Sequence, residues 1–207
     1  FASVSSVPVI NALSDLYHPC QTLADFQTIK QYKRKLKGLK IAWIGDGNNV
    51  CNSFVIGASL AGSHLTIACP PKYAPLPQAV SIAKRQAGIS GAKIYAIDSP
   101  REAALDADVV VTDTFVSMGQ DAEKDSRAQE FLPEYQVNEA LMAFAKPDAI
   151  FMHCLPAHRG MEVTASVLDG PQSVVWQEAE NRLHGQKALL YTLLKKPKPA
   201  KQKEYLQ

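Results

Sequence analysis

The chain has 207 residues, 46% of them hydrophobic and 20% charged, with a formal net charge of +2. That length allows one full core and part of a second unit, and so small a charge gives no footing for nucleic acid or an acidic membrane surface as partners. Four scattered cysteines without a C-x-x-C pair, no signal-peptide core and no bilayer-length apolar run suggest an intracellular, reducing setting and no membrane partner.

Taken in order, residues 6–11 (SVPVIN) read as a strand, followed by a long helix from Leu23 to Lys35 that ends in the basic run KQYKRKLKGLK (30–40). Five nearly all-apolar runs then read as buried strands: 39–45, 64–70, 92–97, 108–113 and 149–154. Helical patterns separate or follow them at 50–61, 77–88, 100–105, 132–145, 161–168 and 176–194. Alternation of this kind predicts an α/β fold: a three-layer, doubly wound, Rossmann-like five-stranded parallel sheet with helices on both faces. The segment 6–11 and the apolar helix 186–194 have no partner in such a unit, and the lysine-rich stretch 195–203 reads as a solvated tail.

Ligands of open α/β sheets bind beyond the carboxyl ends of the strands, so the candidate residues are those at the strand ends. The first ends in GDGNN (45–49), where glycines before a helix let backbone N–H groups approach an anion. Val50 stands where a dinucleotide fingerprint needs its third glycine, so nicotinamide or flavin binding has weak support. The fourth ends at Asp113, followed by a Ser-Met-Gly turn, which suits either a turn cap or a carboxylate for a substrate ammonium. The fifth ends in His153-Cys154-Leu155-Pro156. Zinc is disfavoured there, because adjacent strand residues point to opposite faces and no second Cys/His pair has ligand spacing. A nucleophilic cysteine with His18 or His158 as base, a buried inert cysteine and a ligand-pocket wall all stay open. His18 and Gln21 flank a proline at a helix start, and Arg182 lies among acidic neighbours in EAENRLHGQKALL (178–190).

Together, His18-Pro19-Cys20-Gln21, GDGNN, DTFVSMGQ, HCLP and EAENRLHGQKALL resemble, in order and spacing, the motifs of the ornithine carbamoyltransferases, over essentially the whole chain. The resemblance implies carbamoyl transfer from carbamoyl phosphate to the δ-amino group of L-ornithine, with no cofactor and no metal. It implies that Asn49 and the backbone of Met118 hold the ornithine α-carboxylate, and that Asp113 and Ser117 hold its α-amino group. Cys154 and the Leu155 carbonyl would sit beside the δ-nitrogen and the carbamoyl group. His18 and Arg182 would hold the carbamoyl oxygen and Gln21 the carbamoyl nitrogen. Asp113, Cys154 and Arg182 form the implied catalytic set, and His153 is structural.

The family's Ser-x-Arg-Thr-Arg phosphate loop does not occur in the 207 residues. The expected organisation is therefore a remnant of a carbamoyl-phosphate domain at 1–13, an interdomain helix at 14–37, an ornithine-binding domain at 38–185 and a returning helix with a basic tail at 186–207. On that expectation the chain is inactive alone, and its parent is a homotrimer through the other domain. Mitochondrial matrix and cytoplasm stay open.

Overall fold

The computed structural model describes residues 1–117 and 121–195; Met118 and nearly all of the basic tail lie outside them. Five strands form one parallel sheet: β1 (Lys40–Ile44), β2 (His64–Ala68), β3 (Ile94–Ile97), β4 (Val109–Thr112) and β5 (Ile150–His153). Their spatial order is β3-β2-β1-β4-β5. The helices are α1 (Pro19–Lys33), α2 (Asn49–Ala61), α3 (Pro77–Ser90), α4 (Pro100–Ala104), α5 (Lys124–Phe131), α6 (Glu139–Met142), α7 (Ala165–Leu168) and α8 (Val175–Leu194).

The pleat divides each strand between two cores. Ile41 and Trp43 of β1 pack with Phe54 and Val55 of α2, Ala79 of α3 and Ile29 of α1. Ala42 and Ile44 point the other way, toward Phe115, Phe131 of α5, Leu141 of α6 and Leu168 of α7. This is the three-layer, doubly wound arrangement expected from the apolar runs. Trp43 is fully buried, and its indole N–H is satisfied by the Asp46 carbonyl at 3.0 Å.

Local chemistry sets the helix starts. Proline occupies the first turn of α1, α3 and α4, where its missing N–H costs nothing. Asn48 caps α2 by accepting from the N–H groups of Val50 and Cys51, and Gly62 ends that helix in the left-handed region.

Four expectations need correction. Residues 6–11 form no strand: Val7 and Val9 are 65% and 50% exposed, with no neighbouring strand among the described residues. The helix expected at 132–145 is mostly absent. The true helix, α5, ends at Phe131, Pro133 cannot continue the hydrogen-bond ladder, and Asn138 caps the short α6 afresh. Helix 161–168 shrinks to α7, because Val163 bridges to Val137 and Arg159 instead. Helix α1 starts at Pro19 rather than Leu23 and stops at Lys33, where Arg34 turns left-handed.

The sheet order creates a switch point. From β1 the chain winds outward through β2 and β3, then returns to add β4 on the opposite edge, with Ile44 level with Thr112. The loops leaving β1 and β4 diverge there and open a crevice.

Candidate functional site

Glycines let the β1 loop turn sharply into this crevice. Gly45 has φ +119°, and a Cβ there would meet the Phe115 ring at 3.1 Å. Gly47 donates to the Tyr73 carbonyl at 2.8 Å, an approach so close that any side chain would strike backbone. Arg127 of α5, itself buried, ties the loop after β4 to this turn by donating to Asp46 Oδ2 and the Phe115 carbonyl, each at 2.9 Å.

Asp113 stands at the end of β4, 5% exposed. Its Oδ1 accepts from the Thr114 N–H at 2.7 Å and the Cys154 thiol at 3.1 Å, and its Oδ2 accepts from Asn48 Nδ2 at 2.7 Å. A carboxylate offers about four acceptor sites, so one is left for a ligand. Burial first, and then the Asp113 charge, push the Cys154 thiol well above its usual range. A protonated thiol bonded to a carboxylate is not a nucleophile, which removes that reading of the cysteine.

Leu155 follows with φ +60°, a strained conformation for a branched side chain, and its N–H donates to His153 Nδ1 at 2.9 Å. The donor atoms of Asp113, His153 and Cys154 lie within 4.8 Å of one another. The expected divergence of His153 and Cys154 therefore fails, because β5 stops at His153 and strand alternation no longer applies. The imidazole accepts from the Leu155 N–H at Nδ1, and its Nε2 lies 3.3 Å from the buried Glu162 carboxylate without the alignment of a hydrogen bond.

On the facing wall, His18 precedes Pro19 and its N–H donates to Ser53 Oγ of α2 at 2.7 Å. Its Nδ1 is buried without a hydrogen-bond partner. Burial, then the Arg182 charge, lower its pKa, so the ring is neutral at pH 7. Arg182 Nη1 donates to Gln21 Oε1 at 2.7 Å. Gln21 is 1% exposed and sits in the first turn of α1. Ser117 is half-buried on the loop beyond Phe115.

His18, Gln21, Asp113, Cys154, Leu155 and Arg182 thus converge. Asn49 faces elsewhere: its Nδ2 donates to the Ser14 carbonyl at 2.7 Å, and the asparagine that reaches Asp113 is Asn48. Sequence reasoning also passed over Asp25 and Glu178, which lie under Gln21. Helical spacing was the available signal, since Asp25 follows Gln21 by four residues and Glu178 precedes Arg182 by four.

Residues 37–193 match the aspartate/ornithine carbamoyltransferase Asp/Orn binding domain, and residues 1–31 match the carbamoyl-P binding domain of the same enzymes. The chain is 52% identical over 194 residues to an ornithine carbamoyltransferase of Methanosarcina acetivorans, covering 94% of this chain and 63% of the relative. It is 54% identical over 200 residues to that of Bacillus subtilis, covering 97% and 62%. The ornithine carbamoyltransferase structure from Pyrococcus furiosus superposes with a TM-score of 0.91 at 48% identity, over 95% of this chain and 63% of that one. The chain therefore spans somewhat over three-fifths of the length of these relatives, and it belongs to the aspartate/ornithine carbamoyltransferase family.

Proposed function

We propose that this chain carries the ornithine half-site, and part of the carbamoyl site, of an enzyme that transfers a carbamoyl group from carbamoyl phosphate to the δ-amino group of L-ornithine in arginine synthesis. The observation that carries the reading is the Asp113–Cys154 pair at the switch point, faced by His18, Gln21 and Arg182.

In this reading Asp113 holds the α-ammonium of ornithine at its remaining acceptor site, with Ser117 beside it. The Met118 backbone takes the α-carboxylate, joined by Asn49 once its side chain gives up the Ser14 carbonyl. A carboxylate at the δ-nitrogen would favour the charged ammonium, which cannot attack. A neutral thiol at Cys154 and a carbonyl at Leu155 accept and orient the uncharged amine instead. The amine nitrogen forms a bond to the carbamoyl carbon, the bond from that carbon to the phosphate oxygen breaks, and phosphate leaves as the nitrogen loses a proton. Charge gathers on the carbamoyl oxygen, where the neutral His18 ring and the Arg182 guanidinium supply donors. The unpartnered His18 Nδ1 supports that assignment. Holding both reactants in line supplies most of the remainder.

The phosphate clamp belongs, on this proposal, to the carbamoyl-phosphate domain of the parent enzyme, a homotrimer through that domain. Residues 1–13 are its edge, 14–37 and the helix from 186 onward cross between the domains, and 38–185 are the ornithine domain. Exposed Leu190, Tyr191 and Leu194 of α8 fit a helix that packs on a second domain.

Calorimetric titration of the 207-residue chain with ornithine is the test. Weak binding is expected, falling about tenfold or more in Asp113→Asn, as loss of a charged hydrogen bond requires. No ornithine binding by the unaltered chain overturns the half-site, and citrulline synthesis by the chain alone overturns the division between domains.

A further inference from the structure

Two buried carboxyls take no part in the chemistry described so far. Asp25 of α1 and Glu178 of α8 are 2% and 1% exposed. Both bring an oxygen to the same amide nitrogen: Gln21 Nε2 lies 2.8 Å from Asp25 Oδ1 and 3.4 Å from Glu178 Oε1. The second Glu178 oxygen accepts from the His153 N–H at 3.0 Å. At the other end of the amide, Arg182 donates to Gln21 Oε1 at 2.7 Å. With acceptors on one side and a guanidinium on the other, only one orientation of the Gln21 amide satisfies its neighbours. Its oxygen must face Arg182.

The pair keeps that arrangement at neutral pH because it cannot ionise fully. Burial raises Asp25 to about 7 and Glu178 well above the carboxylate range, so the pair retains a proton at neutral pH. The charges facing the pair are Arg182 on α8 and Asp113 at the end of β4. The neutral His18 ring lies at the head of α1, and β5 contributes only the His153 backbone N–H.

We propose that Asp25 and Glu178 are positioning residues that lock Gln21 with its oxygen toward the substrate, so that the site selects a transferred group bearing an N–H, a carbamoyl, over an acetyl group of nearly the same shape. This rests on the carbamoyl-transfer reading above. Carbamoyl and acetyl phosphate differ in one substituent, an amino group against a methyl. Arg182 fills one lone pair of that oxygen, a methyl leaves the other unfilled, and sites built on such a hydrogen bond reject the analogue that lacks it far more strongly than a missing methylene would allow. A Gln21 amide turned the other way would set its own N–H groups against those of the carbamoyl and lose this selection.

The test uses the natural-length protein that carries this chain, with carbamoyl phosphate and acetyl phosphate compared by kcat/KM at fixed ornithine. Asp25→Leu removes the nearer acceptor, and Asp25→Ser does so more gently should the leucine variant not fold. Glu178→Gln, which mimics the protonated acid, is the conservative control. The expected result is a fall of about tenfold or more in the carbamoyl-to-acetyl ratio for the Asp25 variants, an unchanged KM for ornithine, and a ratio near wild type for Glu178→Gln. An unchanged ratio in an active Asp25 variant overturns the proposal, as does a parallel loss on both acyl phosphates and ornithine, which marks a purely structural role. A wild-type protein that forms no citrulline overturns the carbamoyl-transfer reading itself, and the selectivity built on it.

Discussion

Asparagine in place of Asp25 tests the buried pair through stability alone. Burial raises the Asp25 carboxyl from its usual 3.8 to about 7. A carboxyl with a higher pKa in the folded than in the unfolded chain makes the folded state the better proton binder. Its contribution is therefore fully present below about pH 4 and is lost as the pH rises through about 7. Within that window the slope is about 1.4 kcal/mol per pH unit, so the whole span amounts to about 4 kcal/mol. Glu178 is shifted in the same direction, so it deepens the decline and does not offset it. The substituted amide would keep the shape and accept the Gln21 N–H, but would not titrate. Urea unfolding free energies for both proteins across about pH 4–8, subtracted pairwise, cancel the groups common to both. The difference should grow in the variant's favour by roughly 1 kcal/mol or more per unit between about pH 5 and 7. A difference that stays flat over that range refutes the reasoning.

Two further outcomes follow from the site. In Gly47→Ala, the new Cβ would stand 2.3 Å from Pro75 N and 2.5 Å from the Tyr73 carbonyl oxygen, both backbone atoms that cannot swing aside. A loss of about 3 kcal/mol, roughly 6–12 °C in Tm by calorimetry, is expected, and an unchanged Tm would show that the turn yields freely. Alkylation of Cys154 by iodoacetamide at pH 8, followed by mass spectrometry, should run at least about tenfold slower than for a free thiol, because burial and Asp113 both oppose the thiolate. Asp113→Asn should speed it, and a wild-type rate equal to free cysteine contradicts the protonated-thiol assignment.

Much of the sheet was readable because parallel strands covered on both faces must be continuously apolar, as in Val109-Val110-Val111. The crevice could also be anticipated, since GDGNN and Asp113 both sit at strand ends. The reading failed where apolar content was a poor guide. Residues 6–11 alternate like a strand but find no neighbour to pair with among the described residues. Helix α5 escapes notice because its inward face rests on Arg127 and Phe131 alone, and a buried arginine clasping Asp46 leaves no apolar period. The helix expected in its place runs through Pro133, where propensity should have prevailed. Asp25 and Glu178 were passed over, because burial of an acid becomes evident only when two helices distant in sequence are brought together. Asn48 and Asn49 could not be told apart without the cap geometry that turns one toward Asp113 and the other toward Ser14.

The seam between α1 and α8 bears on how the chain is made. Asn181 exchanges hydrogen bonds with Gln27, Thr28 and Gln31, and Arg182 reaches Gln21, across separations of 150–161 residues. Gly185 lies on the seam, where an added Cβ would make only ordinary contact, 3.7 Å from the Ala24 nitrogen. During synthesis, α1 emerges some 150 residues ahead of its partner. At about 5–20 residues per second, the polar flank of α1 waits for roughly ten seconds or more with its amides and Asp25 facing water. The sheet can assemble meanwhile around β1, whose neighbours both follow it in sequence. Helix α1 is thus built well before it is fastened, and the seam that orients Gln21 and Arg182 closes only after α8 has been made.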